Sequence, residues 1–212
     1  MIIVESLTKK FGSNTILENI NLKLEKGKIY GFVGQNGSGK SVLFKMIAGF
    51  MSPTQGKIKV NNMQIGKDRD FPESCGIIIE SPGFINNLSG FKNLKVLADI
   101  NGIITDNKIK EYMKFFGLNP DDKKKVKDYS LGMKQKLGLI QALMEDQEIL
   151  ILDEPMNSLD EETVVKVRKL LKEIKHKKII LLSSHNKEDI EELCDVIYQV
   201  KDRTIKMIES IA

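Results

Sequence analysis

The sequence has 212 residues, 41% hydrophobic and 29% charged, which suits one folded domain and excludes a wholly disordered chain. Its 33 basic and 29 acidic residues give a net charge of +4, far from the strongly basic surface of a dedicated nucleic-acid-binding protein. No apolar run approaches the roughly 18 residues of a membrane-spanning helix, and Glu5 interrupts the N-terminus before a signal-peptide core could form, so we expect a cytosolic protein.

Short apolar segments alternate with segments of helical periodicity, which predicts an α/β domain. The elements predicted in the first part of the chain are strands at residues 1–7, 15–24 and 28–33, a helix over 41–50, a hairpin over 56–66 and a buried strand at 77–79. After a break at Pro82 and Gly83, the pattern is mainly helical from about residue 84 to 144. The last predicted elements are strand 149–152, helix 161–175, strand 178–183, a short helix near 187–193 and a terminal pair of strands.

A glycine-rich motif follows the third predicted strand and precedes a helix. Residues 34–41, GQNGSGKS, match the phosphate-binding pattern G-x-x-x-x-G-K-[ST] in full. The glycines let backbone amides turn toward phosphate oxygens, and the helix N-terminus adds a favourable partial charge. Lys40 is expected to reach the β- and γ-phosphates, and the Ser41 hydroxyl to bind Mg²⁺. The predicted nucleotide-binding residues of this loop are Gly34, Gln35, Asn36, Gly37, Ser38, Gly39, Lys40, Ser41 and Val42.

Two adjacent acidic residues end the apolar strand at 149–152. In open α/β sheets, ligands bind at the C-terminal ends of the strands, so Asp153 and Glu154 are expected near the bound phosphates. Asp153 is then placed to hold Mg²⁺ through water, and Glu154 to polarise the attacking water. The alternative is a solvated strand end without function. Because a protein that only binds nucleotide can dispense with Glu154, its presence predicts hydrolysis.

The two cysteines give no sign of a metal site or a disulfide. Cys75 and Cys194 lack CxxC spacing and a neighbouring histidine. We expect two reduced, partly buried thiols.

Two further segments resemble motifs of the nucleotide-binding subunit of ATP-binding-cassette (ABC) transporters. Residues 129–135, YSLGMKQ, are similar to that family's signature, usually Leu-Ser-Gly-Gly-Gln, and retain Ser130 and the second glycine, Gly132. Ser130 also suits the N-cap of the following helix. Residues 158–160, SLD, and His185 resemble the family's D-loop and switch histidine, in matching order.

The resemblance implies a P-loop NTPase core of α/β class. Such a core has a mixed sheet with flanking helices, an N-terminal antiparallel β subdomain and an inserted helical subdomain. The core is expected over residues 1–82 and 146–212, and the helical subdomain over about 84–145. All of this forms one ATP-binding domain.

The resemblance also implies roles for individual residues and a dimer that sandwiches two ATP molecules. Phe11 is expected to stack on adenine, although a core aromatic is the alternative, and His185 to contact the γ-phosphate. Asp160 is expected to couple the two sites. The residues expected to contact the partner subunit's nucleotide are Ser130, Leu131, Gly132 and Met133. The dimer is either a homodimer or a paralogous heterodimer.

Two departures from the usual motifs indicate a subfamily. Leu131 and Met133 replace the first glycine and the glutamine of the signature. Glu80 stands where the family normally has a glutamine that touches Mg²⁺ and the transporter. Together these features resemble bacitracin-resistance and lantibiotic-immunity exporters. The resemblance implies Glu80 as a metal-side sensor, and an integral membrane permease as a partner that holds this chain at the inner face of the cell membrane.

Two other functions remain to be weighed. Residues 186–189, NKED, fit the guanine-reading pattern N-K-x-D of GTPases, but Asp153 is not followed by the D-x-x-G pattern that GTPases need. A soluble ABC-type ATPase with a regulatory or mechanical role and a non-membrane partner is the main alternative to a transporter subunit.

Overall fold

Two β-sheets and six α-helices make up the part of the chain that this computed structural model describes, residues 1–80 and 83–210. Pro82, in the predicted break, lies outside the described residues. The strands in chain order are β1 (Ile2–Phe11), β2 (Asn14–Leu24), β3 (Lys28–Val33), β4 (Gln55–Val60), β5 (Met63–Gln64), β6 (Cys75–Ile78), β7 (Ile149–Asp153), β8 (Ile179–Ser183), β9 (Val196–Lys201) and β10 (Thr204–Ser210). The α-helices are α1 (Lys40–Ile47), α2 (Gly90–Asn101), α3 (Asp106–Phe115), α4 (Leu131–Leu143), α5 (Glu161–Ile174) and α6 (Lys187–Leu193).

The two sheets differ in strand direction. The first has the order β2-β1-β4-β5 and is antiparallel. The second has the order β10-β9-β3-β8-β7-β6, and its strands run parallel except for the β9–β10 hairpin. This arrangement confirms the predicted α/β class with a mixed sheet and an N-terminal antiparallel β sheet.

The predicted hairpin at residues 56–66 forms as β4 and β5. Asn61 and Asn62 both have positive φ, 49° and 67°, as a two-residue turn of type I′ requires. Asparagine tolerates this left-handed region better than most residues, because its short amide can bond to the local backbone. The pair of asparagines therefore sets the register of this hairpin.

The first helix ends earlier than the predicted boundary at residue 50. α1 stops at Ile47, and Gly49 has a φ of +83°. A Cβ atom at Gly49 would lie 2.1 Å from the carbonyl oxygen of Asp70, so the chain leaves the helix where only glycine fits. As a result, Phe50 is exposed and does not continue the buried helix face.

The segment between β6 and β7 contains α2, α3 and α4, but residues 83–89 are not helical, contrary to the helical pattern predicted from about residue 84. The buried side chain of Asn93 explains the difference. Its Oδ1 accepts from the backbone N of Ile85 at 2.7 Å, and its Nδ2 donates to the carbonyls of Ile85 and Ser89 at 3.2 and 3.0 Å. These bonds satisfy backbone groups of the loop that a helix would otherwise pair.

The central strands of the second sheet are buried on both faces, and polar residues lie at their C-terminal ends. β7 and β8 are buried at every position, as expected for parallel strands covered by helices on both sides. Asp153 and Ser183 are register partners at the C-terminal ends of these strands. The loop after the neighbouring strand β3 leads directly into α1. The fold thus gathers the glycine-rich loop and the two acidic residues at the same end of the sheet.

Both cysteines are free thiols, as predicted. Burial raises the pKa of Cys75 to about 12, and burial together with Asp195 and Asp189 raises that of Cys194 to about 12. Because the thiolate is the reactive form, we expect neither thiol of the folded protein to react with iodoacetamide at pH 8 within an hour. Mass spectrometry should find two alkylated cysteines in urea and none in buffer. Fast labelling in buffer would contradict the burial of these residues.

Candidate functional site

The glycine-rich loop between β3 and α1 carries a buried lysine. Gly39 has a φ of +109° and is the residue before α1 begins. Lys40 Nζ donates to the carbonyl oxygens of Gly34 and Gln35, at 2.7 and 3.2 Å. Burial lowers the pKa of Lys40, whereas the charges of Asp153 and Glu154 act in the opposite direction. A buried ammonium group at the mouth of the loop is suited to an anionic ligand.

Three oxygen-bearing side chains meet at the ends of α1, β7 and β8. The Ser41 hydroxyl donates to Asp153 Oδ2 at 2.5 Å, and the Ser183 hydroxyl donates to Asp153 Oδ1. Asp153 is buried, so its carboxylate depends on these partners. Hard oxygen donors of this kind are those that Mg²⁺ prefers. Among the described residues, no cluster of three or more His, Cys, Asp or Glu side chains forms a complete metal cage. The predicted binding of Mg²⁺ by Ser41 and Asp153 stays a prediction.

Glu154 lies beside this group in an uncommon backbone conformation. Its φ is 52°, in the left-handed region that few non-glycine residues occupy. Oε2 accepts from the backbone N of His185 at 3.1 Å, and His185 Nε2 lies 3.2 Å from Oε1. Burial raises the pKa of Glu154, an effect that the His185 contacts partly oppose. A carboxylate with a raised pKa is a stronger proton acceptor than an ordinary glutamate.

These groups line one cavity of about 500 Å³, a size typical of small-molecule sites. The cavity is bordered by the glycine-rich loop, by the ends of β7 and β8, and by the start of α4. The site residues predicted from the sequence that line it are Asn36, Gly37, Gly39, Lys40, Ser41, Val42, Glu80, Leu131, Asp153, Glu154 and His185. Ile16, Gln135, Asn157 and Ser158 also line it. Gln135 and Ser158 belong to the signature-like and D-loop-like segments, whereas the sequence analysis gave Ile16 and Asn157 no role in the site.

Glu80 borders this cavity but has a different partner from the predicted metal. β6 ends two residues earlier, and the Glu80 side chain is 66% exposed. Its Oε1 forms an ion pair with Lys45 Nζ on α1 at 2.6 Å. The predicted contact of Glu80 with Mg²⁺ stays a prediction.

The start of α4 packs against the loop that follows β7. Ser130 is the N-cap of α4, as predicted, and its Oγ accepts from Met133 N at 3.2 Å. A Cβ atom at Gly132 would lie 2.6 Å from the carbonyl oxygen of Ser158, so only glycine allows this approach. One turn later, Gln135 Nε2 donates to the carbonyl of Pro155 at 2.9 Å.

A second contact joins α4 to the N-terminus of α5. Asp160 caps α5 by accepting from the backbone N of Thr163 at 2.9 Å, and its Oδ2 pairs with Lys136 Nζ at 2.6 Å. Gly132, Gln135 and Lys136 share one helix face, because residues three and four apart are neighbours on a helix. The helical spacing within the signature segment was a signal for Gln135 and Lys136 that the sequence analysis did not use.

Phe11 lies at the end of β1 and does not line the cavity described above. Its side chain is 48% exposed, and Lys9 Nζ lies 4.9 Å from the ring centroid. The alternative that Phe11 is a core aromatic is therefore wrong. Stacking of Phe11 on adenine stays a prediction.

The GTPase alternative is inconsistent with the environment of residues 186–189. Asn186 caps α6 by accepting from Glu188 N at 3.0 Å, and Asp189 is 2% exposed. Asp189 Oδ1 accepts from Arg168 Nη2 at 2.6 Å. An aspartate that is buried and paired in this way is not free to read a base.

The sequence matches a known protein family and is similar to several named proteins. The family described as "ABC transporter" matches residues 17–157. The chain is 42% identical to the "Uncharacterized ABC transporter ATP-binding protein YybJ" of Bacillus subtilis, over 100% of this chain and 97% of that protein. It is 39% identical to the "Bacitracin transport ATP-binding protein BcrA" of Enterococcus faecalis, over 93% of this chain and 65% of that protein. It is 37% identical to the "Lantibiotic transport ATP-binding protein SrtF" of Streptococcus pyogenes, over 93% of this chain and 85% of that protein.

A solved structure has the same fold. The structure entitled "Dimeric structure of a post-hydrolysis state of the ATP-binding cassette MJ0796 bound to ADP and Pi" aligns with a TM-score of 0.88. The alignment covers 100% of this chain and 99% of the other, at 23% sequence identity. None of the helices among the described residues has the length and apolar composition needed to cross a membrane.

Proposed function

Because the chain belongs to the ABC transporter family of ATP-binding proteins, we propose that it is the ATP-hydrolysing subunit of an exporter of peptide antibiotics. The observation that carries the hydrolytic part is the position of Glu154. This partly buried carboxylate with a raised pKa lies beside Asp153 and contacts His185, in the cavity that also contains Lys40. The names of the bacitracin and lantibiotic transport relatives support the choice of cargo.

In this proposal each group in the site has a role. The loop amides and Lys40 bind the β- and γ-phosphates of ATP. Ser41 and Asp153 would hold Mg²⁺, which when bound neutralises phosphate charge. Glu154 orients the attacking water and accepts its proton, because its raised pKa strengthens it as a base. His185 contacts Glu154 through its backbone N and its imidazole, and it would hold that carboxylate in place and face the γ-phosphate.

Assembly completes the site in this proposal. Ser130 caps α4 and, with Gly132, would contact the nucleotide bound to a second subunit in a head-to-tail dimer. The dimeric state of MJ0796 supports this arrangement. Such a dimer would act on a membrane permease, and the names of the transport relatives support that partner. The permease would hold the chain at the membrane surface.

The proposal is tested by reconstituting resistance. We expect the chain, co-expressed with the membrane proteins encoded beside its gene, to raise the tolerance of a sensitive bacterium to bacitracin or a lantibiotic. The matched control is the same operon carrying Glu154→Gln. ATPase activity without any change in tolerance, together with co-purification of a non-membrane protein, would favour the soluble ATPase alternative.

A groove with apolar and polar lining residues, between the edge strand β6 and α2, is the expected contact with the permease. This cavity of about 390 Å³ is lined by Phe50, Leu97 and Ile100, among other residues. Phe50 and Ile100 are 57% and 74% exposed, so these two apolar side chains of the groove are accessible to a partner. By contrast, Phe84 and Phe91 are partly buried and pack against the core.

We expect Ile100→Glu to abolish stimulation of the ATPase by the permease while leaving the basal rate within about twofold, because it adds a charge to the groove and not to the site. Ile103→Glu is the matched control, since Ile103 is 67% exposed and does not line the groove. The rate of phosphate release with and without the purified permease in detergent decides the result. An equal effect of both variants would contradict the docking surface.

Replacing Glu80 is expected to change the Mg²⁺ dependence of hydrolysis. Glu80→Gln removes the charge that pairs with Lys45 but keeps an acceptor oxygen. We expect the variant to retain most of the maximal rate and to shift the Mg²⁺ midpoint by about threefold, a shift of a size typical of one partly exposed ion pair. Titration of the rate against Mg²⁺ measures the shift, with Glu73→Gln as a control for an exposed glutamate. Superimposable curves would show that Glu80 does not affect the Mg²⁺ dependence and only pairs with Lys45.

A further inference from the structure

An ion pair between α5 and α6 lies behind the loop that carries His185. Arg168 donates from Nε and Nη2 to Oδ1 of Asp189, at 2.9 and 2.6 Å. Both residues are buried, with 8% and 2% exposure. Glu188 and Glu192 also contact Arg168, at 2.9 and 3.3 Å, but their side chains are 65% and 43% exposed. The desolvated part of the network is therefore the Arg168–Asp189 pair.

Burial of this pair needs an explanation other than stability. Two buried charges lose their hydration, and apolar residues of similar volume often stabilise a fold at least as well. The neighbouring residues Ile190 and Leu193 are apolar and buried, so an apolar contact between α5 and α6 is compatible with the surroundings. A role for the Asp189 carboxylate as a hydrogen-bond acceptor of fixed orientation would explain why this pair is charged.

The second carboxylate oxygen of Asp189 faces the His185 loop. Oδ2 accepts from the Ser184 hydroxyl at 2.7 Å, and the same hydroxyl oxygen accepts from the backbone N of Asn186 at 3.1 Å. These two bonds hold the residues on either side of His185. His185 in turn contacts Glu154 through its backbone N and its imidazole.

We propose that Arg168 and Asp189 are positioning residues for hydrolysis, acting through Ser184 on His185. Two Arg168 donors fix the orientation of the Asp189 carboxylate and compensate its charge, so that Oδ2 remains an acceptor for Ser184. Ser184 then holds the loop in the conformation that places His185 against Glu154. This inference rests on the proposed function, because it assumes that His185 assists hydrolysis at this site.

A double-mutant cycle tests the proposal through activity. We expect Ser184→Ala to lower kcat about tenfold with KM within twofold, since a small displacement of a catalytic group is costly. In a His185→Ala background, the same change should alter kcat less than twofold, because the group that it positions is absent. Glu192→Gln is the control, since Glu192 contacts Arg168 without contacting Ser184. An equal fall in both backgrounds would overturn the proposal.

A second measurement does not depend on ATP hydrolysis. The chain has two histidines, so the imidazole NMR signals of His185 can be separated from those of exposed His176. We expect Ser184→Ala and Asp189→Asn to shift and broaden the His185 signals and to leave those of His176 unchanged. Unchanged His185 signals would overturn the proposal. If the unmodified protein does not hydrolyse ATP, the proposed function fails, whereas the NMR result still decides the role of Asp189.

Discussion

Replacing Glu154 with glutamine is expected to lower kcat for ATP hydrolysis by about 10²- to 10³-fold, as is typical when a general base is lost. The amide has nearly the same shape and keeps an acceptor oxygen for the backbone N of His185, so the site should stay folded. The substitution removes the carboxylate of Glu154, whose pKa is raised by burial. The amide that replaces it cannot accept a proton from water. We therefore expect Kd for ATP to change less than threefold.

The same variant should reveal the dimer. Because ATP is bound and not hydrolysed, size-exclusion chromatography with ATP should show Glu154→Gln as a dimer and the unmodified protein as a monomer. Glu161→Gln is the matched control, since Glu161 is an exposed glutamate in the first turn of α5. A variant that binds ATP and remains monomeric at micromolar concentration would contradict the head-to-tail arrangement.

The parts of the fold that follow from local chemistry were predictable from the sequence. The boundaries of α6, Lys187–Leu193, agree with the predicted helix at 187–193, because Asn186 supplies a cap and Ile190 and Leu193 an apolar face. The loop before α1 was predictable because glycine and lysine at fixed spacing have few other uses. In contrast, the helical pattern predicted from about residue 84 does not show that the Asn93 side chain holds residues 83–89 out of helix. That bond joins two residues eight positions apart, a contact that helical periodicity does not reveal.

The sequence predicted which residues form the candidate site, but not which of their side chains contact one another. Asp153 and Ser183 become neighbours only through the parallel pairing of β7 and β8, which no local pattern specifies. The sequence places Glu80 after a buried strand, but its ion pair with Lys45 depends on how α1 packs beside β6. Arg168 shows no functional signal in the sequence, because a single arginine within a polar helix is usually a surface residue. Its role becomes visible only when α6 brings Asp189 to it.

Removing the ammonium group of Lys40 is expected to impair ATP binding itself. Lys40→Ala removes the ammonium group that donates hydrogen bonds to the carbonyl oxygens of Gly34 and Gln35 in the glycine-rich loop. A charge-assisted hydrogen bond contributes about 1.5–3 kcal/mol, so we expect Kd for ATP to rise about 10- to 100-fold. Isothermal titration calorimetry with ATP and Mg²⁺ measures this change directly.

The stability of the same variant separates loss of ligand binding from loss of folding. In the absence of nucleotide, burial lowers the pKa of Lys40, so the charged form is less favourable in the folded protein than in the unfolded chain. At neutral pH the buried charge of Lys40 therefore lowers the free energy of unfolding. This free energy should rise as pH increases above the lowered pKa of the folded state, because the amine is then neutral in the folded protein. Lys40→Ala should therefore not lower Tm at pH 7 without ATP, and it should lose most of the rise in Tm that ATP produces in the unmodified protein. Lys23→Ala, at an exposed lysine on β2 whose side chain pairs with Glu25, should keep that rise in full. A Lys40→Ala protein that ATP stabilises as strongly as the unmodified chain would show that the phosphates bind elsewhere.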